Sequence, residues 1–289
     1  MAGQSRKKTK TLEVMVADVI RETPDTSTII FFTGNDHLDY APGHFLTIEP
    51  HQFPALERWT AYLEDQKGRR EPPRAYSMAS SPDEHHLAIT VKEERYVTDV
   101  TKYPPLLSPI LAYRTVRGTK MKITGFAGPY TLPKDGVPES ILHICAGSGI
   151  VPNWSILKYC LRNHPDMKHR LIYSNKTWAD TIFGEGLLDL QRQFPENLEI
   201  VFTITREDTF LKNGATLQKG RITRDLIEKT IEELDNPMLY VCGPALSKWD
   251  KLLAKKNGTT PPPRFMESAL GLLEDLGVDK KSITKESYG

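Results

Sequence analysis

A β-barrel followed by an α/β domain with a parallel sheet is the fold class this 289-residue sequence predicts, on three observations. Up to about residue 130 the strong segments are short, rich in β-branched and aromatic residues, and separated by turn residues. Beyond that point apolar strands alternate with helix-period segments. Between the two patterns lies "YTLPKDGVPES", with two prolines and a glycine, and the domain boundary is placed there: residues 1–136, then 137–289.

In the first half the expected strands are "LEVMVADVIRE", "TSTIIFFTG", "HFLTIEP", "RAYSMAS", "HLAITVKE" and "KMKITGF". Several short strands with turns between them suit an antiparallel barrel or sandwich. "HQFPALERWTAYLEDQKGRREPP" interrupts them with a short helix and a charged, proline-ended loop. In the second half "ILHICAG", "RLIYSN", "LEIVFTITR" and "PMLYVCGP" read as strands. "NWSILKYCLRNH", "FGEGLLDLQRQF", "ITRDLIEKTIEEL" and "FMESALGLLEDLG" read as helices, and such alternation implies a parallel sheet covered on both faces.

Composition narrows the function. A hydrophobic content of 39% and a charged content of 26% suit two ordinary globular cores, and a net charge of +1 gives no field for nucleic acid. The basic opening "SRKKTK" reads as a solvated tail. No run approaches the roughly 18 apolar residues of a spanning helix, nor is there the apolar centre of a signal peptide, so a cytoplasmic protein is expected. Cys145, Cys160 and Cys242 are widely spaced in apolar runs, as buried thiols in a reducing compartment would be. Three cysteines cannot hold a four-cysteine iron–sulfur cluster within this chain, and no metal site is expected.

Three motifs carry chemistry. In "RAYS" strand alternation puts Arg74 and Tyr76 on one face and Ser77 on the other, so a cation, an aromatic face and a hydroxyl meet in four residues. In an open parallel sheet ligands bind beyond the carboxyl ends of the strands, where "CAGSGIVP" follows the first strand of the second half. Gly147 and Gly149 permit close approach to a pyrophosphate, and Pro152 suits the first helical turn; a plain tight turn fits this stretch equally well. The third motif, Cys242-Gly243-Pro244, reads either as a buried thiol before a turn or as a thiol against a nicotinamide ring.

In this order and spacing the motifs resemble those of the ferredoxin-NADP reductase superfamily, which includes cytochrome b5 reductase and the reductase components of bacterial oxygenases. The resemblance runs from about Leu12 to Gly289. It implies an FAD-binding barrel and an NAD(P)-binding α/β domain. It places the flavin motif on Arg74, Ala75, Tyr76 and Ser77, with Arg74 on phosphate, Tyr76 against the ring and Ser77 near its reactive nitrogen. Val91 and Lys92 would lie beside the flavin. The glycine-rich phosphate turn that normally follows is replaced by "EERYVTDVTKYPPLLSPILAYRTVRG", in which Ser108 is the nearest equivalent.

On the nucleotide side the resemblance gives the pyrophosphate to Gly147, Ser148 and Gly149, the helix start to Pro152, and the nicotinamide pocket to Cys242, Gly243 and Pro244. Ser174, Asn175 and Lys176 would face the adenosine ribose. Lys176 and Arg206 would welcome a 2′-phosphate, and with no acidic residue read on the ribose the choice leans to NADPH while NADH stays open. Tyr288 would cover the flavin and gate hydride transfer, so Ser77, Cys242 and Tyr288 are the candidate catalytic residues. The implied reaction takes electrons from NAD(P)H through FAD to a separate one-electron acceptor, a ferredoxin or an oxygenase component. The alternatives are a flavin-bearing electron-transfer subunit and a free-flavin or ferric reductase. Lys67, Arg69 and Arg70 in the inserted segment 51–73 either dock an acidic partner or form a solvated loop.

Overall fold

Leu12, Val14 and Val16 are buried and alternate with exposed neighbours, the signature of a half-buried strand. In the computed structural model, which describes residues 10–34, 38–98, 100–134, 136–207 and 215–288, they lie in β1 (Lys10–Thr23). The first half continues through β2 (Thr26–Phe32), β3 (Phe45–Ile48), α1 (Glu57–Lys67), β4 (Arg74–Ser77), β5 (Leu87–Lys92), α2 (Ser108–Tyr113) and β6 (Lys120–Ala127). The six strands form one antiparallel sheet in the order β4-β3-β6-β1-β2-β5. A bridge between Met78 and Ile89 joins its two edges, so the sheet closes into a barrel filled by Ile29, Phe31, Leu46, Ile48, Ile89 and Ile123. The inserted segment is the expected short helix, α1, which stops at Gly68 in left-handed conformation (φ 61°).

The second half runs β7 (Ser140–Ala146), α3 (Ile150–Asn163), β8 (Lys168–Asn175), α4 (Gly184–Gln193), β9 (Leu198–Ile204), β10 (Thr216–Lys219), α5 (Arg224–Glu232), β11 (Met238–Pro244), α6 (Lys248–Lys256), α7 (Phe265–Asp275) and β12 (Ile283–Tyr288). Its sheet is parallel throughout, in the order β10-β9-β8-β7-β11-β12. All of β7 is buried, as expected of a central strand covered on both faces. The β10 and β12 edges and α6 are absent from the sequence reading. β12 pairs with β11 only because distant segments meet, a partner that local periodicity does not encode.

Polar contacts lock the barrel to the parallel sheet. Lys158 of α3 sits 2.6 Å from Glu84 of the β4–β5 loop, with side-chain exposures of 11% and 14%. Arg162 pairs with Asp83, and Ser155 donates to the Ser80 carbonyl at 2.7 Å. Removing one partner of so buried a pair costs about 3–5 kcal/mol, because the other charge is left desolvated. The helix that follows the Gly147–Gly149 turn is therefore held directly against the barrel. Among the described residues no helix is long and apolar enough to cross a membrane.

Candidate functional site

β7 ends in Ala146 and leads through the turn Gly147–Gly149 into α3, so the amide groups of the first helical turn face the carboxyl edge of the sheet. Gly147 is left-handed (φ 52°), and a Cβ on Gly149 would lie 2.1 Å from the Cys242 carbonyl oxygen. The turn is thus pressed onto the end of β11, where only glycine fits. Pro152 lies in the first turn of α3 and is buried.

Beyond this edge opens a cavity of about 670 Å³. Lining it are Gly147 and Ser148, then Ser174 and Asn175 at the end of β8 with Lys176 just beyond, Arg206 after β9, Pro244 at the end of β11, and Lys92 from the barrel. These eight are sequence-selected residues brought to one place. Asn175 Nδ2 is buried and makes no hydrogen bond within the protein, leaving a donor for a ligand at the wall. Lys92 also pairs with Asp25 at 2.6 Å, which fixes it where barrel and sheet meet.

Asp180, Arg221, Arg264 and Phe265 line the same cavity and were missed in the sequence. Asp180 puts an acidic residue on the wall of this cavity, and its carboxylate accepts a hydrogen bond from Thr177 at 2.8 Å. Its signal was a Thr-x-x-Asp capping pattern just after β8. Phe265 opens α7 and packs on Gly243, where a Cβ would meet its ring at 2.5 Å.

A second cluster joins the halves. The Ser77 hydroxyl at the end of β4 lies 2.6 Å from the Tyr288 hydroxyl and 3.4 Å from a Glu286 carboxylate oxygen, both on β12. Register sets Cys242 beside Glu286 and Pro244 beside Tyr288. Burial pushes the Glu286 carboxyl up from its ordinary range, and the Ser77 hydrogen bond partly opposes this. The Cys242 thiol is fully buried and driven well above its ordinary value, first by burial and then by the Glu286 charge, so it stays protonated. Glu286 was missed, although its position two residues before Tyr288 on a strand places both on one face.

The remaining selected residues lie along the barrel. Arg74 is partly exposed and donates to the Pro72 carbonyl at 2.7 Å and to Glu71. Ala75 is exposed, and Tyr76 packs against the barrel core. The Val91 side chain is buried in that core. Ser108 is buried, and its hydroxyl accepts the Glu94 amide at 3.1 Å, so it braces the β5–α2 loop.

Residues 143–248 match the family described as the oxidoreductase NAD-binding domain. The chain is 28% identical over 149 residues to NADH-cytochrome b5 reductase 2 of Candida glabrata, covering 51% of this chain and 47% of that protein. It is 29% identical over 197 residues to the ferredoxin reductase component of 3-ketosteroid-9-alpha-monooxygenase from Mycolicibacterium smegmatis, covering 66% and 49%. The chain spans about half the length of the curated relatives it matches. Its fold superposes with a TM-score of 0.69 on the cytochrome b5 reductase domain of Ulva prolifera nitrate reductase, at 20% identity and covering 96% and 97% of the two chains.

Proposed function

We propose that this chain, whose residues 143–248 match the oxidoreductase NAD-binding domain and whose relatives are flavoprotein reductases, is an FAD-dependent NAD(P)H reductase feeding a separate one-electron acceptor protein. The observation that carries this reading is the meeting of Ser77 with Glu286 and Tyr288, beside Cys242 and next to Pro244 of the cavity wall. It sets a flavin motif from the barrel against the end of a nucleotide cradle.

The residues fit both groups. Gly149 leaves room at the turn that a Cβ would fill, and Asn175 offers an unpaired donor. Arg74 uses guanidinium donors on Pro72 and Glu71, and its planar fork carries more N–H groups than these partners take. Tyr76 supplies the aromatic face and Ser77 the hydroxyl. When bound, the flavin supplies the hydride acceptor and a carrier that releases electrons singly.

The chain's own side chains position and exclude water. Gly147, Ser148 and the start of α3 receive the pyrophosphate of NAD(P)H, and Lys176 and Arg206 flank its adenosine end. Tyr288 occupies the space beside Ser77 and must swing away before the nicotinamide can stack. Ser77 links the Tyr288 hydroxyl to the Glu286 carboxyl, a path by which a proton can be held at or moved from the site. Cys242 presents a neutral, polarizable thiol to the nicotinamide. The ion pairs and hydrogen bonds that lock the two domains together would hold the bound flavin and nicotinamide in a fixed relation, which is the chain's chief contribution to hydride transfer.

The acceptor is assigned by chemistry: a ferredoxin or the oxygenase component that such a reductase would supply. Names of relatives point the same way, one being a ferredoxin reductase component and another a cytochrome b5 reductase. Steady-state turnover of the FAD-loaded chain tests this. Saturable reduction of a ferredoxin supports the assignment, whereas turnover with free flavin or ferric chelates alone favours a reductase without a protein partner.

A further inference from the structure

Two buried side chains hold the carbonyl groups of the Gly147–Gly149 turn. Tyr173 of β8 donates its hydroxyl hydrogen to the Gly147 carbonyl at 3.0 Å and accepts the Ile182 amide at 3.2 Å. Asn153, near the start of α3 and fully buried, donates its side-chain amide to the Gly149 carbonyl at 2.8 Å. In a trans peptide plane the carbonyl and the following amide point to opposite sides. With the Gly147 carbonyl drawn inward to Tyr173, the Ser148 amide faces the other way, toward the cavity that Gly147 and Ser148 line.

A chain of buried polar groups fixes which way round Asn153 sits. Its Oδ1 offers only lone pairs, and it lies 3.1 Å from the Tyr130 hydroxyl and 2.8 Å from His143 Nδ1. His143 therefore carries its hydrogen on Nδ1, which leaves Nε2 as an acceptor. His169 Nδ1, 3.2 Å from that nitrogen, carries the hydrogen in turn. Both rings are fully buried, and burial holds them neutral, so each has one hydrogen to place. Each donor thus sets the next: His169 to His143, His143 and Tyr130 to Asn153, and Asn153 to the turn. An Asn153 amide rotated by half a turn would set Nδ2 against the hydrogens of Tyr130 and His143, and Oδ1 against the Gly149 carbonyl, so all three bonds would be lost. At the far end His169 Nε2 is buried without a partner. An apolar pair in place of the histidines would avoid that cost, so stability is not what the chain of bonds supplies.

Resting on the nucleotide reading above, we propose that Asn153 is a positioning residue for NAD(P)H and that His143 and His169 orient its amide. Being fully buried, Asn153 acts through the turn: it holds the Gly149 carbonyl inward, so that the turn keeps its outward amides on the pyrophosphate.

The test compares the full FAD-loaded chain as wild type, Asn153→Leu, His143→Leu and His143→Asn. In His143→Asn a side-chain amide still donates to Asn153 from near the Nδ1 position, whereas His143→Leu fills the space with no donor. ADP-ribose and its 2′-phosphorylated form carry the pyrophosphate without the nicotinamide. Calorimetric titration with whichever of them wild type binds more tightly therefore reports on the turn alone. The expected result is about tenfold weaker binding in Asn153→Leu and His143→Leu, and binding within about twofold of wild type in His143→Asn, whatever the order of their urea midpoints. In rapid-mixing reduction of the flavin, the nucleotide concentration giving half the limiting rate rises by the same factor, and the limiting rate stays at the wild-type value. Wild-type affinity in His143→Leu, or affinities that follow the urea midpoints and not the donor at position 143, overturn the positioning role and leave the nucleotide reading intact. A wild type that binds neither form of ADP-ribose and is reduced by neither NADH nor NADPH overturns that reading and the positioning role with it.

Discussion

The Ser77 and Tyr288 hydroxyls, 211 positions apart in sequence, lie 2.6 Å from each other. The contact joins the last residue of β4 in the barrel to the last of β12 in the parallel sheet. It is a direct contact between the two halves, and under the proposed function it closes the place a nicotinamide would have to enter.

Tyr288→Ser should therefore open that place. The expected outcome is about tenfold tighter binding of NAD(P)+ to the FAD-loaded protein, measured by difference absorbance, with slower turnover because product leaves slowly. Unchanged affinity would show that Tyr288 does not occupy the nicotinamide position.

Gly149→Ala drives a methyl group into the Cys242 carbonyl, where 2.1 Å is available. Overpacking against backbone costs about 1–3 kcal/mol or more, and the turn proposed to receive pyrophosphate must shift. Both a lower urea midpoint and weaker NAD(P)H binding are expected. A variant of wild-type stability and affinity would contradict the close packing.

Cys242→Ala leaves a small cavity near Tyr288 and Glu286 and removes the thiol from the site. Stopped-flow reduction of the bound flavin should slow about tenfold, equivalent to about 1.4 kcal/mol in barrier, with flavin retained. Wild-type rates would make Cys242 a core thiol only.

His143 and His169 are fully buried and stacked, and His143 also meets Asn153, whose amide donates to the Gly149 carbonyl. Burial holds His143 down at about 4 and His169 well below its ordinary value. An unfolded histidine takes its proton near pH 6.5, so the unfolded chain binds more protons below that pH. Stability is complete above about pH 6.5 and falls toward pH 4, with His143 contributing about 3 kcal/mol to the loss. Urea midpoints across this range should drop steeply in wild type and less in His143→Gln; equal slopes would contradict the assignment.

What the sequence made legible were the motifs whose chemistry is local. Arg74, Tyr76 and Ser77 share four residues, and Gly147 and Gly149 share a turn, so residue type and spacing announce them. Glu286 was not legible, because its meaning depends on β12 docking beside Cys242. Arg221, Arg264 and Phe265 are likewise ordinary residues until the topology carries them to one cavity. Ser108 was read from its position in sequence alone; in the fold its hydroxyl accepts the Glu94 amide, which leaves its O–H as a donor. Lys67 read as a surface charge because a buried partner four residues later cannot be told from a solvated one by composition.

The most direct measurement is an anaerobic absorbance titration of the FAD-loaded protein with NADH in one sample and NADPH in another. The account predicts that at least one nucleotide bleaches the flavin band stoichiometrically, and the one that does so at lower concentration is the donor. A protein that binds FAD and is bleached by neither, or one that stays colourless after FAD is added, would contradict it.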